Sequence, residues 1–210
     1  MNQSLVNTGR QLAAGLRALL VLTLLTGVVY PLVVTGVAQA FLGHRANGSE
    51  VGEGGRVVGS SLIGQQHYGL DYFQPRPAAG LSANTLNTQY KLIVSGATNL
   101  AANNSKLVQA VERARAEVVR VNSTSDYKVK PSQVPADAVT SSGSGLDPDI
   151  SPAYALLQAH RVAERNHLPV ARVEHLVREQ TESRTLGFIG EPRVNVLRLN
   201  VALRELTTGH

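Results

Sequence analysis

Cysteine and tryptophan are absent from all 210 residues, and aromatics are limited to three Phe and six Tyr. Without cysteine there is no disulfide framework, thiol nucleophile, thiolate-held zinc or iron–sulfur cluster. The absence leaves the compartment open, because cysteine-free chains occur on both sides of a membrane. Acidic residues are missing from the first 49 positions, and all 15 Asp and Glu fall at or beyond Glu50. Catalytic signatures are missing too. No G-x-x-x-x-G-K-[ST] cradle for phosphate and no G-x-S-x-G nucleophile elbow occurs. His44, His67, His160, His167, His175 and His210 form no H-E-x-x-H or H-x-H pair. Ser125-Asp126-Tyr127-Lys128 fits S-x-x-K, but no K-T-G follows it, and the match reads as chance. The net charge of +5 comes without any basic run interleaved with aromatics, so no nucleic acid is expected as a partner.

What is present begins with the acid-free segment. Arg10 and Arg17 precede a run from Ala18 to Gly43 with no charged residue. As a helix, Ala18 to Ala40 spans about 34 Å, enough for a hydrocarbon core of roughly 30 Å. Most of its faces are apolar, unlike the single stripe of a soluble helix. A cleavable signal peptide ending at Ala38-Gln39-Ala40 and a retained anchor compete for this segment. Length favours the anchor, since the apolar run continues through Leu32-Val33-Val34, past a usual signal core of about 7–15 residues. Pro31 is tolerated where neighbouring groups satisfy the freed carbonyl. In both readings the arginines hold the N-terminus in the cytoplasm and the rest is exported. Gly27, Gly36 and Ala40 are small residues along the span that would allow a second helix to approach closely.

Beyond the run, 18 basic and 15 acidic residues remain once Arg10 and Arg17 are set aside, an ordinary surface balance. His44 to Gly55 reads as a Gly-rich linker, and Arg56 to Gly64 as one or two strands broken at glycines. The prolines of Phe73-Gln74-Pro75-Arg76-Pro77 exclude a central strand or helix there. Residues 78 to 104 read as a long loop, of the sort that is usually functional or interfacial. Helical spacing is clear from Ser105 to Val121, with Asn103, Asn104 or Ser105 as cap. Ser151-Pro152 starts a second helix running to about Asn166, with Ala155, Leu156, Ala159, Val162 and Ala163 inward. Pro169 opens a third, burying Val170, Val173, Leu176 and Val177. Val194 to Leu197 predicts a short strand turning into a terminal helix near Leu199 to Leu206. The expected organisation is α+β: a cytoplasmic tail (1–17), one transmembrane helix (18–42), a linker (43–56) and one mixed α/β extracytoplasmic domain (57–210).

The segment from Ser141 to Pro152 (SSGSGLDPDISP) is the densest local feature. Gly143 and Gly145 permit positive φ, Asp147-Pro148 forces a turn, and Ser151 caps the helix that follows. Such a place offers backbone donors to an anion, or the Asp147 and Asp149 carboxylates to a cation. A tightly specified turn with no ligand explains the same residues and is the preferred reading. An anchored or secreted hydrolase with its site near Ser144, Asp147 and Asp149 is the competing functional class.

Taken with Gly59–Gln65, Tyr72–Pro77, Ser95–Leu100 (SGATNL), Gln158–Ala163 and Val194–Asn200 (VNVLRLN), this segment resembles the C subunit of potassium-transporting ATPases, the KdpC family. The blocks occur in the family's order and cover nearly the whole chain, the apolar span included. The chain departs from the family's usual S-G-G-S-N-L at Ala97, and from a histidine common after the D-P pair at Asp149. The resemblance implies a non-catalytic subunit of a high-affinity, ATP-driven potassium uptake complex in a bacterial inner membrane. Its partners would be a channel-like A subunit, a P-type ATPase B subunit, a small F subunit and the lipid bilayer. It also implies a catalytic chaperone that raises the pump subunit's affinity for ATP, with Gln158 as a nucleotide contact, and Asn195 and Asn200 as structural or interface residues. No catalytic residue or resident cofactor is implied; potassium is the transported ion, and ATP enters through the complex. Topology opposes the nucleotide role, because Gln158 falls in the exported domain while ATP is cytoplasmic.

Overall fold

A computed structural model describes residues 2–65, 68–77 and 95–208 of the chain. Residues 78–94 of the expected loop, with His67 and His210, lie outside the described residues. Residues 1–49 and 50–210 form two separate units.

The first unit is one long helical stretch, with α1 over Asn2–Leu24, a π-helical turn over Leu25–Val29 and α2 over Tyr30–Ala46. Helix therefore begins well before Ala18. Within it, Val6–Ala46 is long and apolar enough to cross a membrane, with a mean hydropathy of 2.2 over its best window and none of that window buried among the described residues. The π turn sits where Pro31 requires it. Proline has no N–H for the carbonyl four residues earlier, and its ring crowds that carbonyl, so the helix widens by one residue just before it. The Tyr30 N–H then reaches back to the Leu25 carbonyl.

The second unit opens with β1 (Glu50–Glu53) and β2 (Arg56–Ser60), an antiparallel hairpin with a register shift between Val51 and Gly52. The strand β1 lies inside the stretch expected as linker. Gly54 and Gly55, at φ of 54° and 78°, make the tight reversal that the glycine-rich composition had suggested was slack. Next comes α3 (Ser105–Asn122), capped by the Asn104 side chain, which accepts from Lys106 N at 2.9 Å. After two 3₁₀ turns at Pro131–Gln133 and Ala136–Ala138, the short β3 (Asp149–Ile150) leads into α4 (Pro152–Arg165) and α5 (Val170–Glu179). The chain ends with β4 (Thr181–Glu182), β5 (Arg193–Asn195) and α6 (Val196–Thr208). Strand β5 is central to a three-stranded antiparallel sheet, with Val194 opposite Ile150 on one side and Thr181 on the other.

Ser151 caps α4 as its position before Pro152 predicts, its Oγ accepting from Tyr154 N at 3.0 Å. Ala155, Ala159, Val162 and Ala163 are buried and Leu156 half-buried, with Tyr154, Leu157, Gln158 and Arg161 also turned inward. Val173, Leu176 and Val177 of α5 are buried as their spacing predicts, while Val170 is half-buried. These faces meet Val194, Val196, Leu199 and Leu203 around Phe73, which is wholly enclosed. The terminal strand stops at Asn195, so α6 starts three residues before the expected Leu199. Each enclosed Val or Leu removed from water contributes roughly 1.5–3 kcal/mol, and this single core positions the polar groups described next.

Candidate functional site

Two adjoining polar constellations gather the sequence blocks that stood out. The first is a buried clamp on the backbone of residues 70–74. Asn200 on α6 pairs with Phe73 through both amide atoms: Phe73 N–H donates to its Oδ1 at 2.8 Å, and its Nδ2 donates to Phe73 O at 3.0 Å. Gln158 on α4 treats the next residue in the same way, accepting from Gln74 N at 2.7 Å and donating to Gln74 O at 3.1 Å. The segment before Pro75 thus has its ladder supplied by two side chains instead of a neighbouring strand. Proline-rich backbone cannot pair along its length, and buried N–H and C=O groups still require partners.

Arg161, one turn beyond Gln158, completes the clamp. Its Nη2 donates to Gln158 Oε1 at 2.7 Å and its Nε to Asn122 Oδ1 at 2.9 Å. Its Nη1 donates to the carbonyls of Leu70 and Tyr72. The residue is only 2 % exposed, and every one of these acceptors is a neutral oxygen. Burial lowers its pKa to about 10, so the guanidinium stays charged at neutral pH. Asn166, at the end of α4, adds a bond from Nδ2 to Asp71 O at 2.7 Å.

The second constellation is the turn from Ser141 to Ser151 and what it touches. Asp147 Oδ2 meets Arg76 Nη1 at 2.9 Å, and its Oδ1 accepts from Asp149 N at 3.0 Å, closing the D-P-D turn on itself. The Arg76 guanidinium also donates to Thr140 O. Asp149 takes an ion pair from Arg193 at 3.0 Å and a bond from Asn195 Nδ2 at 3.0 Å. Loss of hydration raises the Asp149 pKa, and the Asn195 bond and the Arg193 charge only partly offset this. Asp137 holds Ser151 through N at 2.7 Å and Oγ at 2.9 Å. Arg193 and Arg198 share Glu182. An open cavity of about 460 Å³ lies over Arg76, Asp137, Asp147, Asp149, Glu191 and Arg193.

The same turn gathers the other sequence blocks. Gly64 N donates to Leu146 O at 2.8 Å, Gly96 N to Ser144 O at 2.8 Å, and Val196 N to Pro148 O at 3.0 Å. Asn195 also donates to Ser61 O at 2.8 Å. A Cβ on Gly64 would lie 2.7 Å from Asp147 O, so this close approach of two backbones admits only glycine. Gly145 has φ of 68°, whereas Gly143 is not in the left-handed region and has open space around it. Of the two glycines expected to permit positive φ, one uses that freedom.

Gln158, Asn195, Asn200, Asp147, Asp149 and Ser151 are thus placed in two adjoining networks, each bound to the chain itself. Gly27, Gly36 and Ala40 lie on the helical first unit, where Gly27 and Gly36 have open space around them apart from Thr23 Cγ2, 4.0 Å from a Cβ built on Gly27. Ser144 Oγ contacts Ser142 Oγ and Leu146 N, both at 3.1 Å, with no general base on it among the described residues. Among the described residues no group of three or more His, Asp or Glu is arranged to hold a metal ion. Arg161, Asn122 and Asn166 escape sequence reasoning, because nothing local tells a buried arginine from an exposed one. The available signal is that Arg161 follows Gln158 by three residues, on the face that Ala155 and Val162 bury.

A helix long and apolar enough to cross a membrane, followed by a unit whose described polar clusters are bonded within the chain, gives the outline of a membrane-associated protein. Residues 12–205 match the model of the family described as K+-transporting ATPase, c chain. The chain is 62% identical to the potassium-transporting ATPase KdpC subunit of Streptomyces avermitilis, over 98% of both chains. It is 61% identical to that of Streptomyces coelicolor, over 98% of this chain and 97% of the other. Against that of Mycobacterium bovis the figure is 47%, over 94% of this chain and 99% of the other. The chain belongs to the KdpC family and is a non-catalytic subunit of the K+-transporting ATPase complex.

Proposed function

We propose that this chain is a single-pass subunit that stabilises assembly of an ATP-driven, high-affinity potassium uptake complex. Its anchor and its Glu50–His210 domain hold a channel-like A subunit and a P-type ATPase B subunit together, with a small F subunit alongside. The N-terminus is cytoplasmic and the domain lies outside, as Arg10 and Arg17 before an acid-free span favour. The match to the family across residues 12–205, apolar helix included, carries the reading. The chain acts as a catalytic chaperone, raising the ATPase subunit's affinity for ATP through subunit contacts. The burial of Gln158 supports this indirect route: the residue has no exposed surface, and both of its amide atoms hold Gln74 and Arg161. The test is purification of the complex with wild-type chain and with Gln158→Leu, measuring both ATP affinity and chain stability. An unchanged melting temperature with weakened ATP affinity would assign Gln158 to the nucleotide instead.

A further inference from the structure

Between β4 and β5 the chain leaves the domain surface as an arm and returns. Every residue from 183 to 193 is exposed, and the tip of the arm is apolar: Leu186 is 79%, Phe188 72% and Ile189 51% exposed. The arm is built, not slack. Two backbone bonds bridge it, Thr185 N to Ile189 O at 2.9 Å and Ile189 N to Thr185 O at 3.0 Å. Gly187 N donates to Arg184 O at 3.0 Å and Phe188 N to Thr185 O at 3.3 Å. An Arg184–Glu191 ion pair of 2.7 Å closes the neck. Leu186 is held at φ of 54°, a region that a bulky side chain avoids. A strained turn that keeps three large apolar side chains in the open marks a contact surface.

The chemistry of the tip suits phospholipid. Side chains from Leu186 to Gly190 carry no hydroxyl, amide or charge, whereas the strongest protein contacts draw on Trp, Tyr and Arg. The N–H groups of Thr185, Gly187, Phe188 and Ile189 are already bonded within the arm, so entry into a drier medium strands none of these four donors. Charge begins only at the neck, with Arg184 and Glu191, where headgroups and water can solvate it. Proximity is also supplied by the chain. The apolar helix ends at Ala46 and β1 starts at Glu50, and so short a connector spans at most about 14 Å. We propose that the Leu186–Ile189 tip is a second membrane contact, inserting about 5–10 Å into the boundary between headgroups and acyl chains. The proposal rests on the reading that the apolar helix spans a bilayer.

The test uses the full chain, purified with its companions and reconstituted into vesicles of phosphatidylcholine and phosphatidylglycerol, with and without a nitroxide on the acyl chains. Because the chain has no cysteine, a bimane probe can be placed singly through Ile189→Cys, Leu25→Cys or Ser142→Cys. The probes at 189 and 25 are expected to emit further to the blue and to lose emission to the nitroxide, and the probe at 142 to do neither. Adding Leu186→Ser with Phe188→Ser, which alters only exposed side chains, is expected to abolish quenching at 189. The same pair should move the melting temperature by no more than about 2 °C. Quenching at 25 without quenching at 189, whether the tip lies in water, against a companion or against a second copy, overturns the insertion. Quenching at 189 that survives both serines overturns it as well. An unquenched probe at 25 overturns the membrane-spanning reading, and the insertion with it.

Discussion

Replacing Gln158 by leucine separates an internal strut from a ligand contact. The substitution keeps the volume of a residue with no exposed surface and removes every polar contact it makes. Gln74 loses a partner for its N–H and another for its C=O, and Arg161 Nη2 loses its acceptor. A buried polar group left unpaired costs about 1–3 kcal/mol, more when charged. With partial relaxation the three together cost about 4 kcal/mol, a large share of a typical folding stability of roughly 5–15 kcal/mol. For a domain of this size each kcal/mol moves the melting temperature by about 2–4 °C, so a fall of about 8–16 °C is expected. Gln158→Glu should fall between the two, because a carboxylate still accepts from Gln74 N and Arg161 but faces Gln74 O without a proton. The assay is thermal unfolding of the purified full chain, run beside the KM for ATP of the assembled complex. A Gln158→Leu chain that melts like wild type while the complex shows a tenfold higher KM for ATP would refute the strut argument.

Three further outcomes follow from the turn cluster and the topology. Gly64→Ala should destabilise the domain by about 1–3 kcal/mol, because its Cβ would press on the Asp147 backbone. Gly143→Ala, with open space around it, should stay within about 0.5 kcal/mol; equal urea midpoints for the two would contradict the close-approach reading. Asp149 has a raised folded pKa, so the folded state binds its proton more tightly than the unfolded chain. Its contribution to stability is therefore greatest below the ordinary carboxylate value of about 3.9 and falls as pH rises through the window up to the raised value. Urea midpoints from pH 3 to 7 should show this slope in wild type and a shallower one in Asp149→Asn; identical slopes would remove the burial argument. A cysteine introduced as Ser142→Cys, the only thiol in the chain, should react with a membrane-impermeant reagent in intact spheroplasts. Labelling only after lysis would reverse the orientation.

The elements whose causes are local were legible in the sequence. Ser151-Pro152 combines a cap with a fixed φ, and the spacing from Val173 to Val177 marks a buried stripe, so both helices begin and face as expected. The extent of β1 was hidden, because Gly54-Gly55 reads equally as flexible linker or as hairpin turn until a partner strand is known. The turn from Ser141 to Ser151 was visible as a turn, but its hold on Gly64, Gly96 and Val196 was not. The clamp was the least legible part. Asn200 grips Phe73 and Gln158 grips Gln74 across sequence separations of 127 and 84 residues, and no local pattern encodes which backbone a buried amide will meet. Family resemblance pointed to Gln158 and Asn200 as residues of interest, and the geometry shows what they hold.

The account's central claim is that this chain is an assembling, non-catalytic subunit. Mild-detergent purification of the tagged full-length chain from membranes of cells starved of potassium tests it most directly, with the companions weighed and ATP hydrolysis assayed with and without potassium. The account predicts two larger membrane proteins in fixed ratio with the chain and potassium-stimulated ATP hydrolysis by the whole. A chain recovered alone and stable, with hydrolytic turnover of its own, would contradict it.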